Sequence, residues 1–300
     1  MASIAAEGRK PLGKSRMFAI TGITGQVGGT VARALLAAGK NVRAVVRDAH
    51  KGEAWARQGC EVALADLNDE SALTRAFTAT EGVLILLPPN FDPAPGFPEV
   101  RAILRALQGA LTRAQPARVV SISTVGAAAT QENLLSQHTL HEKVLGELPL
   151  PIAFLRPAWF MENAAWDVAS ARDTGVIHSF LQPLERRIPM VATADIGRVA
   201  AKLLQEKGDG RRVVELEGPR PVSPNDIAAS LGRLLGRSVS AQSVPRETWE
   251  TLFRGQGMRN PLPRIQMLDG FNAGWLNFEH QPMKGEVELD TVLRGLIERG

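Results

Sequence analysis

A short apolar strand, a glycine-spaced turn and an amphipathic helix follow one another near the start of the chain, and this order constrains the fold most strongly. Met17–Ile20 is apolar, and the turn after it has glycines at Gly22, Gly25 and Gly28. Residues 27–39 then place apolar side chains at helical spacing and end at a glycine. A strand, a turn of this kind and a helix form the first half of a parallel crossover unit. The unit also leaves the amides of the turn and of the helix N-terminus available to a phosphate group.

The alternation of short apolar strands and helices continues as far as residue 156. Further strands are predicted at 41–46, 62–65, 83–87, 118–123 and 152–156, and helices at 70–77, 99–113 and 135–148. This pattern predicts an α/β fold built on a doubly wound parallel sheet, the Rossmann arrangement.

The regular alternation stops after Pro157, which predicts a second, smaller structural unit. A helix at 195–206 and a strand at 212–216 return to the sheet, and Ser223 followed by Pro224 is typical of a helix start. We therefore expect three kinds of segment in the chain. They are a flexible leader over residues 1–14, a Rossmann domain from 15–156 and 193–218, and a discontinuous α/β cap domain from 157–192 and 219–300.

Composition excludes several classes of function. The 35 Lys and Arg residues exceed the 31 Asp and Glu residues by only four and form no basic block, so direct nucleic-acid binding has little support. The longest aliphatic run, Val83–Leu87, is far shorter than a membrane span. A single cysteine, Cys60, allows no intrachain disulfide and makes a Cys-rich metal site implausible. We expect a cytoplasmic monomer or homodimer with no metal and no membrane partner, acting on a small molecule.

The glycine turn and the ends of the following strands predict a dinucleotide site. Arg47 stands at the tip of the second strand, where an arginine accommodates the 2′-phosphate of NADP and a carboxylate would select NAD. The other interpretation of Arg47 is a solvated charge at a strand end. We expect NADP(H) as the cofactor. The predicted cofactor-binding residues are Gly22, Thr24, Gly25, Gln26, Val27, Gly28, Arg47, Lys51, Asp66, Leu67, Leu87 and Pro88.

A second set of candidates follows the later strands, where ligands of such sheets bind. Ser123 and Thr124 end the fifth strand, and their hydroxyls are either substrate contacts or strand-end caps. Trp159, Phe160 and Asn163 follow the sixth strand and could stack on a planar substrate and bind its carbonyl oxygen, although cap core is the alternative for the rings. His138 and His141 are candidate proton donors, but the helix pattern favours a surface position for both.

Several of these motifs together resemble the NmrA-like group of atypical short-chain dehydrogenases. The resemblance covers residues 17–297 and rests on the glycine turn, Arg47, Asp66-Leu67, Ser123-Thr124, His141–Leu145, Leu155–Asn163 and Asp195–Ala201. It implies NADPH-dependent reduction of quinones or dyes, or regulation by sensing NADP(H) without turnover.

The larger dehydrogenase superfamily that this group resembles uses a Tyr-x-x-x-Lys pair, and this chain has only half of it. Lys143 fits the lysine, whereas Thr139 stands at the tyrosine position and the chain contains no tyrosine at all. Acid catalysis by a tyrosine is therefore excluded. The resemblance makes Lys143 a candidate for holding the cofactor ribose and for stabilising a developing anion. We expect a reductase that transfers hydride to a quinone or similar conjugated acceptor, with an NADP(H)-sensing regulator as the alternative.

Overall fold

The strands pair in the order of a doubly wound sheet. A computed structural model describes residues 17–299, and the predicted leader at 1–14 lies outside them. The large sheet has eight parallel strands in the order β12-β10-β6-β5-β4-β1-β2-β3. These strands are β1 (Met17–Ile20), β2 (Asn41–Val46), β3 (Glu61–Leu64), β4 (Gly82–Leu86), β5 (Arg118–Ile122), β6 (Ile152–Pro157), β10 (Arg211–Glu217) and β12 (Met283–Lys284). The predicted Rossmann sheet is confirmed.

Four short strands form two small parallel sheets beside the large one. β7 (Trp159–Phe160) pairs with β9 (Met190–Val191), and β8 (Val176–Ser179) pairs with β11 (Ser240–Ser243). The α-helices of the described residues are α1 (Gln26–Ala37), α2 (Ala49–Ala56), α3 (Glu70–Phe77), α4 (Pro98–Ala114), α5 (Ser136–Gly146), α6 (Ala165–Asp173), α7 (Thr193–Gln205), α8 (Pro224–Leu235), α9 (Trp249–Gly255), α10 (Leu262–Ala273) and α11 (Leu289–Arg299). None of these helices is long and apolar enough to cross a bilayer.

Alternate residues of the buried strands supply two hydrophobic clusters, one on each face of the sheet. Phe18 and Ile20 pack in the cluster that includes α1 and α7, whereas Ala19, between them, packs in the cluster of α3, α4 and α5. Successive side chains of a strand point to opposite faces, and both faces of a parallel sheet are covered by helices. This explains why the central strands read as continuous apolar runs.

A third hydrophobic cluster is built almost entirely from the second half of the chain. It joins residues between 161 and 192 to helices α8–α11, and Trp249 and Phe253 within it are fully buried. This cluster occupies the region predicted as the cap.

The segment before α11 corrects one predicted boundary. Met283–Lys284, placed in the cap by the sequence analysis, instead extends the large sheet as β12. Glu215 holds the preceding segment in place, because its carboxylate accepts the backbone N–H groups of Glu279 at 3.0 Å and His280 at 2.8 Å. The ammonium of Lys284 lies 2.6 Å from the carboxylate of Glu217 and adds an ion pair across the same two strands. Because these polar contacts produce no periodic pattern in the sequence, β12 could not be predicted from it.

Side chains cap the start of three helices, α2, α3 and α8. Asp69 accepts the backbone N–H of Ala72 at the start of α3, and Ser223 and Asp226 form a capping box at the start of α8. The sequence analysis did not predict α2, although Asp48 caps it by accepting the N–H of His50. Its short length and Gly52 conceal the helical period.

Candidate active site

The glycine turn opens the N-terminal end of α1 toward a cavity. Gly22 has φ of +62°, a conformation that favours glycine, and the N–H of Gly25 donates to its carbonyl at 3.0 Å. α1 starts at Gln26 with no side chain capping it. A Cβ at Gly28 would lie 2.3 Å from the Gly22 carbonyl oxygen, so the helix can approach the turn this closely only with glycine there. The resulting N-terminus has free amides and a positive dipole end, which suit a phosphate group.

A cavity of about 490 Å³ lies against this turn and is called here the glycine-turn cavity. Eight predicted cofactor residues line it: Gly22, Thr24, Gly25, Arg47, Lys51, Asp66, Leu67 and Pro88. The other four, Gln26, Val27, Gly28 and Leu87, do not line it. Val27 and Leu87 are core residues, and the Gln26 amide oxygen accepts the hydroxyl of Thr193 at 2.9 Å. These four residues lie behind the cavity wall, where they pack or hydrogen-bond beneath the glycine turn and the sheet edge.

Two charged residues follow β2: Arg47, which lines the glycine-turn cavity, and Asp48, whose carboxylate caps α2. Arg47 follows β2 directly and lies near Lys51, and both are exposed. Asp48 accepts the N–H of His50 at 2.9 Å and so caps α2. Asp66 accepts the backbone N–H of Asn68 at 2.9 Å, which lowers the pKa of Asp66, with a smaller contribution from Arg47. Arg47 and Lys51 thus provide two positive charges for a second phosphate group, in addition to the backbone amides of the glycine turn.

A second cavity, of about 440 Å³, lies at the carboxyl ends of β5 and β6 and is called here the aromatic cavity. Four predicted residues line it, namely Thr124, Trp159, Phe160 and Asn163. Trp159 meets Phe271 edge to face with ring centroids 5.1 Å apart. The walls are mostly apolar, as is typical of sites for small organic ligands.

The aromatic cavity also contains side chains that the sequence analysis did not assign. Phe91 and Trp166 line it while remaining 47% and 70% exposed, so they stand at its rim. Asp167, on α6, has no described hydrogen-bond partner, and its burial raises its pKa to about 6. Arg264, on α10, also lines the cavity and pairs with none of the described carboxylates.

The buried face of α5 carries polar groups that contact two of the predicted site residues, Ser123 and His141. Ser123 lines neither of the two cavities, and its hydroxyl donates to the Glu142 carboxylate at 2.6 Å. Glu142 also accepts two hydrogen bonds from the guanidinium of Arg156, at 2.8 and 2.7 Å. His141 is fully buried, with Nε2 2.7 Å from the Ser121 hydroxyl. The expected surface position is thus wrong for His141.

His138 and Lys143 occupy different faces of the same helix. His138 lies beside His141 with ring centroids 5.9 Å apart; it is half-buried, and its Nδ1 is buried without a described partner. Burial lowers the pKa of His138 to about 4 and that of His141 to about 3, so both are neutral near pH 7. Lys143 is exposed and lines neither cavity. It follows the buried Glu142 by one residue, and successive helical residues point about 100° apart.

A model of the NmrA-like family matches residues 14–274. The chain belongs to the NmrA-like family. Its curated relatives include quinone oxidoreductase 2 of Escherichia coli strain K12, 27% identical over 248 residues that cover 82% of this chain and 84% of that protein. The NAD(P)H azoreductase of Xenophilus azovorans is also 27% identical, over 251 residues and 82% and 83% of the two chains.

Solved structures of NmrA-like proteins and their neighbours share the whole architecture. The NADPH-dependent quinone oxidoreductase of Escherichia coli, crystallised with NADPH, has a TM-score of 0.73 at 25% identity, covering 94% of this chain and 95% of that one. The triphenylmethane reductase of Citrobacter sp., crystallised with NADP(H), has a TM-score of 0.77 at 21% identity and covers 94% and 99%. The second likeness supports the fold alone.

Helical spacing could have revealed part of what the sequence analysis missed in this NmrA-like chain. His138, His141, Glu142 and Leu145 recur at intervals of three and four residues and form the inward face of α5. Asp167 and Arg264 give no such signal, because the fully buried residues of α6 and α10 include no polar side chain with which either could recur at helical spacing.

Proposed function

We propose that the protein is an NADPH-dependent reductase that transfers hydride to a quinone or a similar small conjugated acceptor without a catalytic tyrosine. The observation that carries the proposal is the placement of two cavities along one sheet edge. The glycine-turn cavity lies at the carboxyl ends of β1 to β4, and the aromatic cavity at those of β5 and β6. Dinucleotides bind across the point where the strand order reverses, here between β1 and β4.

The glycine-turn cavity fits a dinucleotide phosphate. The uncapped end of α1 approaches the turn closely at Gly28, where any Cβ would meet the carbonyl of Gly22. Arg47 and Lys51 supply positive charge for a 2′-phosphate. Asp48 is the carboxylate best placed to select NAD, but its side chain caps α2. Together these contacts favour NADPH over NADH.

The aromatic cavity fits a flat, electron-poor ring. Trp159, Phe160 and Phe271 supply aromatic wall, and Asn163 offers an amide N–H for a carbonyl oxygen. The mostly apolar wall aligns the acceptor and limits the water around it, which is most of what such a reaction needs from a protein.

Proton delivery needs no buried acid. When bound, NADPH supplies a hydride, and reduction of a quinone to its hydroquinone takes up one further proton. The chain has no tyrosine, and the lowered pKa values of His138 and His141 leave both neutral near pH 7, so neither offers an imidazolium. The phenolate-like anion formed by reducing a quinone is stabilised by its own conjugation and takes its proton from solvent.

The names of the relatives support this chemistry. The quinone oxidoreductase of Escherichia coli is described as NADPH-dependent, and the Xenophilus relative as an NAD(P)H azoreductase. Both names describe transfer of reducing equivalents from a nicotinamide cofactor to a conjugated small molecule.

Cofactor oxidation by the purified protein tests the proposal. We expect the near-ultraviolet absorbance of NADPH to fall when a simple quinone is added, and to fall more slowly with NADH. Binding of NADPH without turnover on any quinone would instead favour the sensing regulator.

Cofactor preference is tested at Arg47. Arg47→Ala is expected to weaken NADPH binding by about 10-fold or more, since it removes a charge-assisted contact, and to change NADH binding little. Arg57→Ala is the matched control, because Arg57 is exposed just after α2 and does not line the cavity. Equal losses for both cofactors in Arg47→Ala would refute the assignment.

A further inference from the structure

Arg264 is a partly buried cation whose surroundings in the described chain are apolar. Its guanidinium carbon lies 4.4 Å from the ring centroid of Phe253 and 5.9 Å from that of Phe91. Its one hydrogen-bond contact is from Nη1 to the sulfur of Met258 at 3.6 Å, a weak acceptor. Most of its five N–H donors are therefore left without a strong acceptor.

Other arginines of the described chain are not placed in this way. Arg156 is more deeply buried and meets the carboxylates of Glu142, Glu215 and Glu279. Arg246, in the same helical region as Arg264, binds Asp269 through two hydrogen bonds of 2.7 Å. Burying a guanidinium without an acidic partner is costly, and burial does lower the pKa of Arg264. Its place on the cavity wall gives it access to a partner that is not part of the chain.

The other ionisable groups of the aromatic cavity restrict where an anion can sit. Asp167, on α6, is more than 4 Å from the guanidinium of Arg264, since no ion pair joins them, and its pKa of about 6 leaves it mostly ionised at pH 7. His178 is exposed on β8. An anionic group is therefore disfavoured beside α6 and favoured beside α10. A guanidinium also matches the planar or trigonal oxygens of a carboxylate or sulfonate through paired N–H groups.

We propose that the aromatic cavity prefers conjugated acceptors that carry one anionic substituent, a carboxylate or a sulfonate, and that Arg264 binds this substituent. The inference rests on the proposed reductase function for its reaction, but the binding contact stands on the cavity itself. Arg264 is thus a specificity-determining residue, with the reducible ring lying against the aromatic wall and the acid group directed toward α10.

The kinetic test compares a naphthoquinone with its monosulfonate, with NADPH as the reductant. In Arg264→Met we expect kcat/KM for the sulfonate to fall by about 10- to 100-fold relative to that for the neutral quinone, the range for loss of a hydrogen-bonded charge pair. Arg264→Lys should restore part of the loss. Comparing the ratio of the two acceptors between variants cancels the difference in their intrinsic reactivity.

Arg254→Met is the matched control. Arg254 is an exposed residue of α9, pairs with Glu250 and does not line the cavity. It should leave the ratio of the two acceptors as in the unmodified protein. An unchanged ratio in Arg264→Met, with quinone turnover intact, would overturn the inference and leave the proposed function standing.

A binding measurement without cofactor separates the two proposals. A naphthalene monosulfonate, which cannot accept hydride, is titrated calorimetrically into the unmodified protein and into Arg264→Met. Binding that weakens about 10-fold or more in the variant supports the contact even if no quinone is reduced, in which case only the proposed function fails. Equal affinity in both proteins would overturn the contact, and neutral naphthalene serves as the uncharged comparison.

Discussion

Replacing Asp167 by Asn is expected to stabilise the folded protein near neutral pH. The Asp167 carboxyl lines the aromatic cavity without a described partner, and its burial raises its pKa to about 6 from an ordinary value of 3.8. A raised pKa means that the folded protein binds this proton more tightly than the unfolded chain does. The contribution of Asp167 to the free energy of unfolding is therefore highest at low pH, where Asp167 is protonated in both states. It falls as the pH rises from about 4 to about 6, because the unfolded chain loses this proton first.

The size of the effect follows from the two pKa values. Their difference corresponds to a cost of about 3 kcal/mol for folding with Asp167 ionised, since one pKa unit is about 1.4 kcal/mol. Asparagine keeps the shape of the protonated acid and does not ionise. The gain in Asp167→Asn should thus grow from below about 1 kcal/mol near pH 4 to about 3 kcal/mol near pH 8.

Denaturant unfolding at a series of pH values measures this gain. We expect the midpoint for Asp167→Asn to exceed that of the unmodified protein increasingly as the pH rises, with an unchanged slope against denaturant. Asp173→Asn is the control, because Asp173 is exposed at the end of the same helix. A gain that does not vary with pH, or a loss near pH 8, would show that Asp167 has a partner or a solvation that the reasoning omits.

Three further perturbations test other parts of the structure. Gly28→Ala should abolish NADPH binding or unfold the turn, because its Cβ would lie 2.3 Å from a carbonyl oxygen, whereas Gly255→Ala meets nothing within 4 Å and should bind NADPH normally in the same titration. Arg156→Met should lower the free energy of unfolding by about 3 to 5 kcal/mol in denaturant melts, since it leaves buried carboxylates unpaired, and a loss below 1 kcal/mol would contradict their role. Lys143→Ala should leave NADPH affinity and quinone turnover unchanged, because Lys143 is exposed and lines neither cavity; a large loss of turnover would restore its predicted catalytic role.

The sheet could be predicted from the sequence because its strands and helices each leave a local, periodic pattern of apolar residues. The central strands are continuous apolar runs, and the helices between them have apolar faces, so both the elements and their parallel order follow. The glycine turn could be predicted for the same reason, since a strand and a helix enclose it. Strand β12 could not, because two exposed residues joined by backbone and ion-pair contacts carry no pattern.

Predicted site residues line a cavity where the backbone decides their position, and lie away from both cavities where the rotation of a helix decides it. Arg47 lines the glycine-turn cavity because it directly follows β2 at the carboxyl edge of the sheet. The predicted role of Lys143 rests on the Tyr-x-x-x-Lys pair, of which this chain has only the lysine. The rotation of α5 about its axis directs the Lys143 side chain to the exposed face of the helix. Asp167 and Arg264 come from helices far apart in the chain, and only the packing of the third hydrophobic cluster brings them to one cavity.

The most direct test of the proposed function is a stoichiometric anaerobic reaction of purified protein, NADPH and a naphthoquinone. The account predicts that NADPH consumed and hydroquinone formed are equal over many turnovers per protein molecule. It also predicts that Arg47→Ala slows this reaction at low NADPH concentration and leaves the rate at saturating cofactor nearly unchanged. Tight NADPH binding with no hydroquinone formed from any of several quinones would contradict the account and identify the chain as a cofactor-binding protein without this reductase activity.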